Sequence, residues 1–206
     1  MVAPKKPTLD RRDFLRGATI AGATAMISSA EGKASMNDHA QQSWSLKMVV
    51  PLEPGIVCID IDRMLEFYTD VLGLKFVSDA EASPEMSTEF GTGPNGFRII
   101  RLQTPYGERI KLVQPKKTTL KQNPVPEWVF ERQGIAYLTF IIADVYEVAT
   151  RLKKYGVEFA SKEPVEIRKG ITAIFARDPE GNFIEFVEYA DLASYRPDLF
   201  KWRQFF

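Results

Sequence analysis

The sequence has little of the two residue types on which many sites depend, with one cysteine and one histidine in 206 residues. Cys58 has no second thiol in its chain, which excludes a scaffold held by intramolecular disulfides. His39 is the lone imidazole, which limits any histidine-based metal site or acid–base pair. Because 27 basic residues balance 27 acidic ones, no surplus of positive charge favours a nucleic-acid partner.

The first thirty residues follow the order of a bacterial export signal. Arg11 and Arg12, in the context Arg-Arg-Asp-Phe-Leu, resemble the twin-arginine motif. Residues 17–30 are uncharged and rich in small side chains, and they fall short of the roughly 20 residues that span a bilayer. We expect residues 1–30 to be a signal peptide, recognised by the twin-arginine translocation machinery and cleaved after Ala30. The alternative is an ordinary amphipathic start with a chance arginine pair.

The rest of the chain divides into a tether, a domain and a tail. Residues 31–47 are polar and mixed, as in a tether, and residues 48–190 have the composition of one globular domain. Residues 191–206 are too aromatic for a free tail, so we expect them to dock on the domain or on a second chain, which leaves a homodimer open. The mature protein is then periplasmic or extracellular, with no membrane span.

The domain contains an internal repeat. Asp60 recurs as Asp144, 84 positions later, and Gly73 recurs as Gly156, 83 positions later. Each aspartate precedes an amphipathic helical pattern, and each glycine follows it, where a helix end needs a left-handed backbone. A Pro-x-Gly turn between apolar runs comes later in both halves. The order of these matches predicts a duplicated unit.

Each half of the repeat predicts a β-α-β-β-β unit, over about residues 48–114 and 134–190. The strands expected before and after each helix are 56–61 and 75–77 in the first unit, and 136–142 and 157–160 in the second. The first unit carries nine extra residues within 78–96. We expect that segment to be either a slack surface loop or a lid over a cleft.

The repeat and two of its segments resemble the vicinal oxygen chelate superfamily, which includes glyoxalase I, bleomycin-resistance proteins and extradiol dioxygenases. The resemblance is carried by residues 60–74, with Asp-Ile-Asp-Arg and Phe-Tyr-Thr-Asp-Val-Leu-Gly-Leu, and by residues 177–186, Arg-Asp-Pro-Glu-Gly-Asn-Phe-Ile-Glu-Phe. It implies an α+β fold in which two tandem βαβββ units form a curled mixed sheet around a cleft. That cleft would hold the substrate and, in the metal-dependent members, a divalent ion.

The resemblance also implies four positions for metal ligands, one on the first and one on the last strand of each unit. Counting through the repeat, these positions hold Glu53, Lys111, Tyr137 and Glu185. The two carboxylates suit a hard divalent ion, but a phenol with a pKa of about 10 is a poor ligand at neutral pH, and an ammonium group repels a dication. We therefore expect no metal cofactor; if one binds, Glu53 and Glu185 are its ligands.

Strand alternation adds further side chains to the same faces. They are Arg109, Thr139 and Phe183. Such a cleft suits a small, partly apolar molecule that carries an anionic group. We expect the ammonium group of Lys111 to neutralise the carboxylate of Glu185. The two groups then either take part in chemistry or only balance each other's charge. Two more alternatives stay open: the cations form a solvated hairpin face, and Tyr137 is a packed aromatic.

Two functions fit these residues. The first is an exported, metal-free protein that binds a small molecule, as the bleomycin-resistance branch does by sequestration. The second is a lyase or isomerase of the glyoxalase type, with or without a divalent metal, in which Glu185 removes a proton beside a carbonyl and Lys111 or Tyr137 stabilises the enolate. An extradiol dioxygenase fits least, because its iron needs two histidines and a carboxylate.

Overall fold

The computed structural model describes residues 48–117, 120 and 124–202. The predicted signal peptide and tether, residues 1–47, lie outside this part of the chain, as does His39.

The first unit is a four-stranded sheet with helices. Its elements are β1 (Gly55–Val57), α1 (Ile61–Glu66) with a π-helical continuation (Phe67–Val71), β2 (Lys75–Ala82), α2 (Pro84–Glu89), β3 (Phe97–Gln103) and β4 (Arg109–Pro115). The strand order is β1-β4-β3-β2. β1 runs parallel to β4, and the other pairs are antiparallel.

The second unit repeats this topology. Its elements are β5 (Tyr137–Ile141), α3 (Val145–Lys154), β6 (Val165–Arg168), β7 (Ile171–Arg177) and β8 (Phe183–Tyr189), followed by α4 (Leu192–Tyr195) and α5 (Pro197–Trp202). The strand order is β5-β8-β7-β6, again with the first and last strands parallel. The predicted α+β fold of two tandem βαβββ units is confirmed.

The residues that revealed the repeat begin and end its helices. The side chain of Asp60 accepts a hydrogen bond from the backbone N–H of Arg63 at the start of α1, and Asp144 does the same for the first turn of α3. Such caps satisfy backbone donors that have no partner within the helix. Gly73 and Gly156 follow the helices with φ of 77° and 68°, a left-handed conformation that glycine adopts without strain.

The core lies between the helices and one face of each sheet. α1 contributes Ile61 and Met64, and its π-helical continuation contributes Tyr68. α3 contributes Val145, Ala149 and Leu152. Alternate strand residues face them: Ile100, Leu102, Ile110, Leu112, Ile174, Ala176, Ile184 and Phe186. Because strand side chains alternate, the other half of each strand lies on the opposite face of its sheet. These are the two faces between which the family resemblance places the cleft.

Two predicted strands differ from the structure. Ile61 belongs to α1, so β1 ends earlier than expected. In the second unit the edge strand is β6, whereas the predicted segment 157–160 makes one isolated bridge, between Phe159 and Ala176.

The nine-residue insertion is not a slack loop. β2 extends to Ala82, and α2 follows, with Ser83 accepting a hydrogen bond from the backbone N–H of Met86. Ser87 of this helix is fully buried and hydrogen-bonds to Thr92. The insertion therefore lengthens a strand and adds a short capped helix.

The start of the C-terminal tail docks on its own domain. Tyr195 stacks on Tyr189 at the end of β8, with ring centroids 4.0 Å apart and planes 10° apart. The side chains of residues 200–206 lie outside the described part, so docking on a second chain stays a prediction. No helix within the described residues is long and apolar enough to cross a membrane.

Candidate ligand-binding cleft

One side of the cleft is positively charged. Arg101 of β3 lies directly opposite Lys111 of β4, and Arg109 lies two residues along the same strand. The side chains of Lys111 and Arg109 are 32% and 37% exposed, so protein screens them partly from water. We call Arg101, Arg109 and Lys111 the basic face. Its cations are held together by hairpin register, because directly opposite residues share a face of the sheet.

Glu53 lies beside two of these cations. Its Oε1 is 3.9 Å from an Nη1 of Arg109, and its Oε2 is 3.9 Å from Nζ of Lys111. A charge-assisted hydrogen bond measures about 2.7–2.9 Å, so the carboxylate lies between both cations without hydrogen-bonding to either. Arg109 instead donates from Nε to Oε1 of Gln103 at 2.9 Å.

The other side of the cleft is aromatic, with one carboxylate. Glu185 of β8 accepts a hydrogen bond from Oγ1 of Thr139 at 2.7 Å. Tyr137 packs edge-on against Phe175, with ring centroids 5.1 Å apart. Within the described residues no cation lies within ion-pair distance of Glu185, and the expected pairing with Lys111 is not seen, since Lys111 is beside Glu53.

Phe183 packs inside the protein and offers little surface to the cleft. Its side chain is 2% exposed, and the guanidinium of Arg177 lies 4.0 Å above its ring. The same guanidinium donates from Nη2 to the carbonyl oxygen of Pro126, at 2.7 Å, and so holds the segment that connects the two units. Phe183 is therefore a support for the cleft wall and the connector.

A cavity of about 400 Å³ lies at this end of the cleft. Its lining includes Val57 and Ile59 from the first unit, Val125 and Val129 from the connector, and Phe183 from the second. Residues from both sheets thus meet around one space, which the connector partly covers.

The opposite end of β8 carries a tyrosine that the sequence reasoning missed. A hydrogen bond with Tyr195, with burial as a lesser cause, raises the pKa of Tyr189 to about 12. Tyr189 shares the face of Glu185, two pleats along the strand. It therefore stays protonated near neutral pH, with its hydroxyl group hydrogen-bonded to Tyr195.

Arg101 was also missed, although a signal for it exists. The turn that contains Tyr106 and Gly107 sets the hairpin register, and counting outward from it pairs Arg101 with Lys111. Alternation within β4 does not reveal Arg101, because this residue joins the face only through the register of β3 with β4.

With this geometry established, comparisons with known proteins identify the family. The model of the Glyoxalase/Bleomycin resistance protein/Dioxygenase superfamily matches residues 47–186. The chain belongs to this superfamily. A comparison with curated proteins gave no match.

Solved structures of this superfamily share the fold. A glyoxalase family protein from Bacillus cereus is 24% identical with a TM-score of 0.60, over 70% of this chain and 96% of that one. A glyoxylase/bleomycin resistance protein/dioxygenase domain from Frankia sp. is 20% identical with a TM-score of 0.52, over 70% and 93%. The trypanothione-dependent glyoxalase I of Leishmania major is 19% identical with a TM-score of 0.52, over 74% and 95%. At these identities the likeness concerns the fold.

Members of the superfamily often use a divalent metal, and the four equivalent positions here do not suit one. Lys111 places an ammonium group 3.9 Å from the carboxylate of Glu53, where it competes with any cation. Tyr137 packs its ring edge-on against Phe175, and a phenol is a weaker ligand for a divalent ion than a carboxylate. No cluster of three or more histidine, cysteine, aspartate or glutamate side chains that could hold a metal ion occurs within the described ranges.

Proposed function

We propose that the cleft binds a small, partly apolar molecule that carries negative charge. The observation that carries this proposal is the basic face, where Arg109 and Lys111 share one carboxylate, Glu53, and Arg101 lies directly opposite Lys111. Partly buried cations without enough counter-charge favour an incoming anion, because their mutual repulsion falls when it binds.

The opposite side of the cleft supports the apolar part of the proposal. Tyr137 and Phe175 form an edge-to-face pair there, and such rings offer a large apolar area with a preferred geometry for a further ring. The cavity beside Val57 and Phe183 adds room at one end. A ligand with a charged group at one side and an aromatic or aliphatic body at the other fits both sides.

Calorimetric titration with simple aromatic anions tests this function. We expect phenyl phosphate, phthalate and benzoate to bind more tightly than neutral benzyl alcohol. Lys111→Met should weaken anion binding at least tenfold, which corresponds to about 1.4 kcal/mol. Lys116→Met is the matched control, because Lys116 follows the same strand with a similar exposure and pairs with Glu81. Equal binding of the anions and benzyl alcohol would contradict the proposal.

We also propose that the protein acts outside the cytoplasm. The support is the order of the first thirty residues, with an arginine pair, an uncharged stretch and small residues at a cleavage point. A binding protein in the periplasm or beyond it would meet its ligand before the ligand enters the cell.

A second candidate function is enzymatic, and the surroundings of Glu185 favour it. Its carboxylate accepts one hydrogen bond from Thr139 and has no ion pair within the described residues, so it is available to take a proton from carbon beside a carbonyl. The electron pair left behind would form an enolate, which a cation of the basic face can stabilise.

Exchange of deuterium from solvent into phenylpyruvate, followed by NMR, tests this second function. We expect the protein to accelerate exchange at the carbon beside the carbonyl, and Glu185→Gln to abolish the acceleration while binding persists. If exchange is no faster than without protein, the enzymatic function is contradicted and the binding function is the one that remains.

A further inference from the structure

The charge on the basic face exceeds what the described part of the chain neutralises. Lys75, opposite Gln103, adds a fourth cation at the outer edge of this face. Glu53 is the one carboxylate that forms ion pairs with these cations within the described residues. Arg98 differs, because it forms ion pairs with both Asp62 and Asp79. The unbalanced charge is therefore a property of the cleft side.

The side chains of this face are held closer than their charges favour. Arg101 and Lys111 are directly opposite, a position in which Cβ atoms are about 4.5–5.5 Å apart and like charges destabilise the sheet. One carboxylate offsets one of the three charges of the basic face. When that carboxylate is displaced, the face keeps three positive charges, and an anion with two negative charges offsets more of them than a monoanion does.

Glu53 occupies the position that such an anion would take. Its two oxygens lie at the same 3.9 Å distance from the cations of Arg109 and Lys111. That spacing lets Nζ of Lys111 and Nη1 of Arg109 turn toward ligand oxygens at hydrogen-bond distance, while Nε of Arg109 stays bonded to Gln103. Because the carboxylate does not hydrogen-bond to Arg109 or Lys111, its displacement breaks no hydrogen bond to these two cations.

We infer that the ligand carries a doubly negative group, a phosphate monoester or a pair of carboxylates, that Arg101, Arg109 and Lys111 bind it, and that Glu53 is the internal anion it displaces. This inference rests on the proposed anion-binding function. It assigns Glu53 a role that opposes binding, whereas a metal ligand or a ligand-contacting acceptor at this position would favour binding.

Titration calorimetry at pH 8 with three probes tests the inference. Phenyl phosphate and phthalate are dianions there, since the second pKa of a phosphate monoester is about 6, and benzoate is a monoanion of similar size. We expect both dianions to bind at least tenfold more tightly than benzoate. If only one dianion does so, phosphate or dicarboxylate is the class that the site accepts.

Glu53→Gln then tests the displacement. The substitution keeps the size of the side chain and removes its charge, so the dianions should bind about tenfold more tightly than to the wild type. Glu81→Gln is the control, since Glu81 pairs with Lys116 in the same sheet, away from Glu53 and the basic face. Melting temperatures confirm that both variants are folded.

Each outcome separates this inference from the function on which it rests. If Glu53→Gln binds the dianions more weakly than the wild type, or equally well, the role of Glu53 is overturned. The proposed anion-binding function still stands in that case if Lys111→Met weakens anion binding. Benzoate that binds as tightly as the dianions overturns the double charge. If no probe binds wild type or Glu53→Gln at millimolar concentration, the inference and the proposed function both fail.

Discussion

The phenol of Tyr68 donates a hydrogen bond to Oδ2 of Asp178, 3.2 Å away, and this bond joins the two units of the repeat. Tyr68 belongs to the helix of the first unit and has no exposed surface. Asp178 begins the turn between β7 and β8, where it also accepts hydrogen bonds from the backbone N–H groups of Glu180 and Asn182. One carboxylate therefore orders a turn and fixes a contact between units.

Replacing this phenol should destabilise the protein. Tyr68→Phe leaves a buried carboxylate with one donor fewer, which costs about 1–3 kcal/mol. The measurement is the free energy of unfolding in urea. Tyr146→Phe is the control, because Tyr146 is 59% exposed on α3, and it should change stability little. Equal effects of the two substitutions would show that the bond between the units adds nothing.

Stability should depend on pH through Asp178. Burial raises the pKa of Asp178 above the usual aspartate value, and hydrogen bonds from its turn offset part of this effect. The folded protein then keeps the proton to a higher pH than the unfolded chain does. The contribution of Asp178 to the free energy of unfolding is greatest below the pKa that it has in the unfolded chain, about 3.9. This contribution declines as pH rises toward the pKa of Asp178 in the folded protein.

Comparison with Asp178→Asn isolates this dependence from other carboxyl groups. We expect the difference in unfolding free energy, wild type minus variant, to fall as pH rises from 3 through the acidic range. A difference that grows over this range would mean that the ionised carboxylate is the form favoured by folding.

The topology was predictable because its signals are local. Asp60 and Gly73 mark the ends of one helix, and their counterparts recur at nearly equal spacing, so the order of elements follows from short-range caps. β6, Val165-Glu166-Ile167-Arg168, alternates apolar and polar residues, but the run is four residues long and exposed throughout, so burial does not distinguish it from a loop. Segment 157–160 has that apolar pattern but forms a single bridge.

The cleft was only partly predictable, because its contacts depend on how side chains extend across the sheets. Alternation predicted that Lys111 and Arg109 share a face, and their register in β4 agrees. Which carboxylate meets Lys111 depends on the separation of the two sheets, and no sequence period encodes that separation. The sequence therefore predicted Glu185 as the partner of Lys111, whereas Glu53 lies beside it.

A backbone contact at the end of the insertion gives another prediction. Gly96 has a φ of 73°, and a Cβ there would lie 2.5 Å from the backbone oxygen of Ala82. Gly96→Ala should therefore combine backbone strain with a steric clash. Gly91→Ala isolates the strain, since Gly91 has a φ of 77° with open space around it, and it should cost about 1–2 kcal/mol. Thermal unfolding should rank Gly96→Ala as the less stable variant; the reverse order would contradict the packing at Ala82.

Export should depend on the arginine pair. The double substitution Arg11→Lys with Arg12→Lys keeps the charge but removes the paired guanidinium groups that the translocation machinery is expected to recognise. Fractionation should then find uncleaved precursor in the cytoplasm. Lys5→Arg with Lys6→Arg serves as control and should leave export intact. Normal levels of mature protein outside the cytoplasm in the first variant would refute the signal.

Lys111→Glu should create affinity for a divalent metal. Lys111 lies 3.9 Å from the carboxylate of Glu53. Its replacement would put two carboxylates side by side, one on the last strand of the unit and one two residues before the first strand. Glu185 occupies the equivalent position on the last strand of the other unit. Carboxylate oxygens are the ligands that hard cations prefer, and removal of the ammonium group also removes the repulsion that opposes a dication.

Titration of Mn²⁺ into wild type and Lys111→Glu by calorimetry measures this gain, which we expect to be at least tenfold. Lys116→Glu is the control, because it also creates an adjacent carboxylate pair, with Glu81, but away from Glu53. Equal gains in both variants would mean that any such pair suffices and the strand positions contribute nothing. If the wild type binds Mn²⁺ as tightly as Lys111→Glu does, the ammonium group of Lys111 lies outside the metal position. The argument against a native metal then falls.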